Sequence, residues 1–191
     1  HVDVCIIEGA LLTNMLRKHK FYCWLSFLLP FLTIATRMMW LRRFPADPIG
    51  PVDAEGFHLL AVNVLAGRGF AIAWEPPFCP TAIRPPLYPF FVAGGYRLLG
   101  ANPARIVLLQ VLLEALTTAL VIRLGREAGT ICGGRSVGLR VGLVSGLCYA
   151  LNVTTQRYTG YLLAEALLLP LMSAALWATL GCLHRPLASR T

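Results

Sequence analysis

The residues best suited to chemistry lie in one polar, proline-rich stretch, 41–86. It holds four of the chain's nine acids, Asp47, Asp53, Glu55 and Glu75, together with His58 and Arg84. A carboxylate can accept the proton of a hydroxyl while that hydroxyl attacks an electrophile. An arginine can grip a phosphate through two N–H groups at once. A proton acceptor and a phosphate clamp are the minimum for moving a group off a phosphorylated carrier. Each residue also has a plainer role. Asp53 suits a helix N-cap, Glu55 a first-turn charge favoured by the helix dipole, and His58 a solvated polar face. Arg84 precedes Pro85 and Pro86, which hold the backbone extended, and it equally suits an anchor to lipid headgroups.

Further along, Gln110 and Glu114 are four residues apart and so share a helix face, with Thr117 and Thr118 one turn on. Glu114 falls near the middle of an apolar run, where a charge costs about 2.5–3.5 kcal/mol on insertion scales. It should therefore face the interior, as the lining of a polar cavity or as a hydrogen-bonding tie between helices. Glu165 opens the last apolar run and can line the same cavity or complement a helix N-terminus. Arg37, near the far end of the first apolar run, is expected to snorkel outward.

The elements that must position these groups follow from composition. Of 191 residues, 57% are hydrophobic and 14% charged, with a mean hydropathy of +0.65. A soluble domain carries about 25% charged residues, so lipid is the expected solvent. The net charge of +8 comes from scattered Lys and Arg. That is the mark of loop-charge orientation in a membrane rather than of a nucleic-acid surface. Six cysteines without a CxxC pair indicate neither a disulfide framework nor a zinc site.

The fold class expected is all-α: a multi-pass transmembrane helical protein with an extracytoplasmic loop carrying surface-parallel amphipathic helices. A cytoplasmic segment (1–20) precedes a first membrane helix (21–40). The outer loop covers 41–103, with interfacial helices near 53–66 and 87–99. In the first of these, Phe57, Leu60, Ala61 and Val64 recur at helical spacing, with Gly67 at its end. Three further spans are expected at 104–124, 139–153 and 162–183, joined by a cytoplasmic loop (125–138) and a short outer loop (154–161). A cytoplasmic tail occupies 184–191. The chain opens on His1 rather than Met, and it reads as the N-terminal part of a longer protein whose fragment alone is inactive.

The run Asp53-Ala54-Glu55-Gly56-Phe57, then Leu60-Ala61-Val62-Asn63, Gly67-Arg68-Gly69-Phe70 and Arg84-Pro85-Pro86-Leu87-Tyr88-Pro89 resembles the first extracytoplasmic loop of bacterial GT-C superfamily glycosyltransferases. It is similar to the branch of protein O-mannosyltransferases and aminoarabinose transferases, glycosyltransferase families 39 and 83. Leu109-Gln110 through Thr118, a Gly-Arg loop and Leu162-Leu163-Ala164-Glu165 fit the same pattern, so the resemblance covers about 52–183. It implies an inverting transferase in the bacterial inner (plasma) membrane. The donor would be a polyprenyl-phosphate-linked sugar, the acceptor is left open, and the partners would be membrane lipid and that lipid-linked donor, without nucleic acid. Asp53 matches the family's acidic base, and Arg84 stands where relatives place His or Lys near the carrier phosphate or a metal. The resemblance thus allows a divalent metal, although arginine cannot ligate one as histidine can, and no metal ligand is assigned here. Relatives carry Asp-Glu where this chain has Asp53-Ala54, with the glutamate displaced to Glu55. Glu55, His58, Glu114 and Glu165 complete the candidate substrate-binding set. The alternatives are a transporter or flippase component without covalent chemistry, with Glu114 and Glu165 lining a path, and an assembly subunit with the loop as docking surface.

Overall fold

A computed structural model describes residues 2–184, with side chains described for 21–182 apart from Cys23. The basic tail beyond His184, with Arg185 and Arg190, lies outside the described residues, as do the side chains of Arg17, Lys18, His19 and Lys20. The regular elements of the described chain are all helices, in the order α1 (Val2–Arg43), α2 (Val52–Leu65), α3 (Leu87–Leu99), α4 (Pro103–Ala150), α5 (Val153–Tyr158) and α6 (Glu165–His184). Among the described residues there is no strand, only an isolated antiparallel bridge between Ala71 and Pro80. Three stretches are long and apolar enough to cross a membrane: Trp24–Arg43, Pro103–Tyr158 and Glu165–Cys182.

Burial in these helices is the inverse of that in a water-soluble globule. In α1, Thr33, Thr36 and Arg37 are buried beside Leu29, while Phe21, Trp24, Phe27 and Phe31 are exposed. In α4, Gln110, Glu114, Thr117 and Thr118 are buried and Leu108, Leu112 and Leu116 are exposed. Leu168, Leu171, Met172 and Leu176 of α6 also point outward. Apolar side chains gain little by hiding from hydrocarbon, whereas polar groups gain from finding one another inside it.

The long elements differ from their sequence boundaries. No break in the helix separates 2–20 from the first apolar run: α1 is continuous from Val2 to Arg43. Its basic cluster does not stop it, because Lys and Arg are good helix formers. Likewise 125–138 is not a loop. Helix continues past Leu124, since Arg126, Glu127 and Ala128 favour it, and breaks only at Gly133 and Gly134. Gly134 has φ +80°, a backbone open to glycine alone at little cost. The second arm of α4 therefore starts earlier than expected and ends at Ala150. The short segment 154–161 also holds helix, α5, capped by Asn152, whose side chain accepts from Thr155 N at 3.0 Å.

The break at Gly133 and Gly134 turns α4 back on itself. Gly125 and Gly129 in the first arm face Gly138, Gly142 and Gly146 in the second, at four-residue spacing. A Cβ on Gly129 would lie 2.9 Å from Gly138 Cα, and one on Gly125 would lie 3.1 Å from Gly142 Cα. The arms thus touch backbone to backbone, the close approach that small residues permit between apolar helices. Leu29, Ile122 and Leu143 close the seam against α1.

The region between α1 and α4 has its own core. Ala54, Phe57 and Ala61 of α2 pack on Tyr88, Val92 and Tyr96 of α3, with Ile106 of α4 and Leu162 beneath. Asp53 is not the N-cap of α2. Pro51 takes that position, in extended conformation and without a side-chain cap, which leaves Asp53 in the first turn.

Substituting Gly142→Val would drive a branched side chain into the Ile122 carbonyl, which lies 2.7 Å from a Cβ built there. We expect a loss of about 1–3 kcal/mol or more, read by denaturation in mixed micelles. Gly94→Ala, where nothing lies within 4 Å, should leave stability unchanged or slightly raised.

Candidate functional site

A cavity of about 890 Å³ opens where α1 ends, α2 begins and α5 meets α6. Trp40, Leu41 and Phe44 form one wall, and Leu163 and Leu169 another. Polar groups are set into this apolar frame: Asp53, Gln110, Glu114, Arg157 and Glu165. Of the six residues singled out from the sequence, Asp53, Glu114 and Glu165 therefore share one space. Arg84, Glu55 and His58 do not line it.

Arg84 instead crosses α2. Its guanidinium sits 5.5 Å from the Phe57 ring centroid and runs beside Gly56, where a Cβ would meet Arg84 Nε at 3.7 Å. There it forms an ion pair with Asp53, donating from Nη2 to Oδ1. Asp53 is 58% exposed in its side chain, so the pair contributes about 0–1 kcal/mol to stability. Its consequence is orientation: one oxygen of Asp53 is held by Arg84 at the edge of the cavity.

Glu55 and His58 serve the loop rather than the cavity. Trp74 Nε1 donates to Glu55 at 2.9 Å. Asn63 Nδ2 donates to the carbonyls of Ala71 and Ala73 at 2.8 and 2.9 Å. Together these contacts strap the proline-rich stretch onto α2. His58 is not solvated. Its Nδ1 lies 2.8 Å from Tyr96 Oη, with Trp74 against its ring. Burial, partly offset by Glu55, holds the imidazole below its ordinary value, and burial pushes the Tyr96 phenol above its own. Both shifts favour neutral partners, so the two groups share one neutral hydrogen bond.

The floor of the cavity is ionic. Arg37 does not snorkel outward: it is wholly buried and paired through Nε with Glu114 Oε2. Its other donors reach Ala150 O at 3.0 Å and Thr155 Oγ1 at 2.7 Å. Thr159 Oγ1 donates to Glu114 Oε1 at 2.6 Å. Beside this group Gln110 Nε2 donates to Tyr161 O at 2.8 Å, and Tyr88 Oη donates to Gln110 Oε1. Burial, with Tyr96 and Glu165 adding to it, pushes the Tyr88 phenol up, so it remains a donor. Both readings of Glu114 therefore meet in one residue, which ties helices together and also lines the cavity.

Sequence reasoning gave Arg37 and Arg157 no part in the site. A signal existed for the first: Arg37 and Glu114 are ionisable groups of opposite sign within apolar runs, where unpaired charge is expensive. For Arg157 there was none, because an arginine in a short loop looks like any orientation charge. Among the described residues no three His, Cys, Asp or Glu side chains come together as a metal-ligand group. The chain matches no protein-family model, no curated protein and no solved structure.

Removing one member of the buried pair, by Arg37→Met or Glu114→Gln, should cost about 3–5 kcal/mol. The double variant Arg37→Met with Glu114→Leu should recover much of that loss, as read by a double-mutant cycle of denaturation midpoints. A separate expectation concerns pH. The folded protein resists protonating His58 more than the unfolded chain does, so the unfolded chain takes up the proton first as pH falls. This contribution to stability is whole above the ordinary imidazole value of about 6.5 and is lost as pH falls toward the lower folded value. His58→Gln, which keeps an acceptor for Tyr96, should flatten the dependence of Tm on pH across that window.

Proposed function

We propose that this chain serves as a multi-pass membrane glycosyltransferase of the GT-C type, taking its sugar from a polyprenyl-phosphate carrier on the outer face of a bacterial inner membrane. The observation that carries the reading is the cavity itself. It joins carboxylates and a cation to apolar walls at the end of the first span, which suits a ligand that is charged at one end and hydrocarbon at the other. The resemblance of 52–183 to such enzymes, with the motifs from Asp53 to Pro89 similar to their first outer loop, supplies the reaction class.

In this reading the 41–103 stretch lies outside the cytoplasm against the lipid surface. An acceptor hydroxyl loses its proton to Asp53, and its oxygen forms a bond to the anomeric carbon as the carbon–oxygen bond to the phosphate breaks. The phosphate leaves with the electron pair, still joined to its polyprenyl chain. A single displacement inverts the anomeric centre. Arg84, bonded to Asp53, orients the base, and Glu165 is placed to accept hydrogen bonds from sugar or acceptor hydroxyls. Glu55 and His58 act at one remove, by holding the loop that delivers Arg84.

A transporter or flippase would use Glu114 and Glu165 as an acidic path through the same cavity. That reading is disfavoured by the engagement of both Glu114 oxygens, one by Arg37 and one by Thr159.

Asp53→Asn in the full protein, assayed for transfer from a purified lipid-linked sugar, should reduce turnover by about 10²–10⁴-fold with the fold intact. Unchanged turnover would remove Asp53 from the mechanism. Movement of the sugar lipid across the bilayer without any sugar transfer would replace the enzyme with the flippase.

A further inference from the structure

We infer that Arg157 is the cation that receives the phosphate of an amphiphilic ligand in this cavity, while Arg84 acts only through Asp53. The ligand class rests on the transferase reading, but the site is argued from the cavity's own residues.

Arg157 is the basic residue that lines the cavity. Its side chain is exposed, and among the described residues it forms no ion pair. The two other arginines nearby are already engaged, Arg37 by Glu114 and Arg84 by Asp53. The backbone that carries Arg157 is held on both sides. Thr155 accepts from Arg37 and its N–H is bonded by Asn152, and Thr159 donates to Glu114. A guanidinium free at its tip on a fixed backbone is what bidentate recognition of a phosphate requires.

The surroundings narrow the ligand further. Thr154 and Tyr158 line the cavity beside Arg157 and offer hydroxyl donors to remaining phosphate oxygens. Trp40, Phe44 and Leu169 supply an apolar wall continuous with the outward apolar faces of α1 and α6. A small free anion would leave that wall unfilled, and a neutral lipid would leave Arg157 unpaired. A phosphate ester with a long hydrocarbon chain satisfies both.

The test uses the full chain in detergent micelles and a fluorescent polyprenyl phosphate, with the matching polyprenol and inorganic phosphate as comparison probes. Arg157→Ala should weaken polyprenyl-phosphate binding by about tenfold or more, as expected for loss of a charge-assisted contact. Arg157→Lys should retain part of it. Polyprenol should bind weakly and equally to wild type and variant, and Arg84→Ala should bind the phosphate lipid as wild type does. Undiminished binding by Arg157→Ala, loss of binding by Arg84→Ala instead, or absence of binding by wild type would each overturn the inference. Competition by inorganic phosphate at concentrations matching the lipid would overturn the amphiphile and leave a site for free anions. Because no sugar transfer is read, a failed transferase assay beside an Arg157-dependent lipid site would sink the enzyme and spare this site.

Discussion

The structure depends on one buried ion pair. Arg37 and Glu114 are both closed off from the surface, in helices whose outward faces are apolar. Neither charge could stay there alone, because an ion stripped of water must find a counter-charge or be neutralised, a carboxylate by taking up a proton. The pairing joins α1 to α4. The remaining donors of Arg37 then reach the end of α4 at Ala150 and the start of α5 at Thr155, and Thr159 closes the second oxygen of Glu114. Four pieces of chain are thereby brought to one point, and that point is the floor of the cavity.

That arrangement needs the second arm of α4 to return close beside the first. The glycines make this possible. Ala150 can meet Arg37 only because Gly138, Gly142 and Gly146 let the returning arm lie against Ile122, Gly125 and Gly129. A side chain at any of these positions would widen the hairpin and draw Ala150 away from the guanidinium. The hydrogen bond between Thr36 Oγ1 and Ala150 O, at 3.2 Å, depends on the same closeness. Packing between backbones and polar satisfaction in the interior are thus a single constraint.

Much of this was legible in the sequence, and the failures have physical causes. The helical class followed from composition, and α3 occupies the Leu87–Leu99 stretch that apolar content and Gly100 delimit. The break in α4 falls inside the expected 125–138 loop, but that loop was drawn too long because polarity was read as irregular chain, although Arg, Glu and Ala favour helix and the glycines faced a partner helix. Their spacing, every fourth residue in both arms, was the better signal. Arg37 was read one helix at a time, so its distance from the helix end suggested snorkelling; its partner lies 77 residues away. Asp53 was read as a cap because capping residues precede helices, but Pro51 caps this one two residues earlier.

The site shows why proximity in sequence was a poor guide to role. Asp53, Glu55 and His58 are close neighbours in α2, yet only Asp53 faces the cavity. Glu55 and His58 are taken up by Trp74 and Tyr96, and Asn63 holds Ala71 and Ala73. These ties fix a stretch that has almost no regular structure of its own, and its far end carries Arg84 back across Gly56 to Asp53. The 30 residues between the pair, the rest of α2 and the irregular stretch after it, are therefore closed into a loop by side chains rather than by a sheet. Closing such a loop costs conformational entropy that one exposed ion pair cannot offset. The hydrogen bonds of Glu55, His58 and Asn63 must supply the difference. Residues that never touch the cavity thus decide how its carboxylate is held.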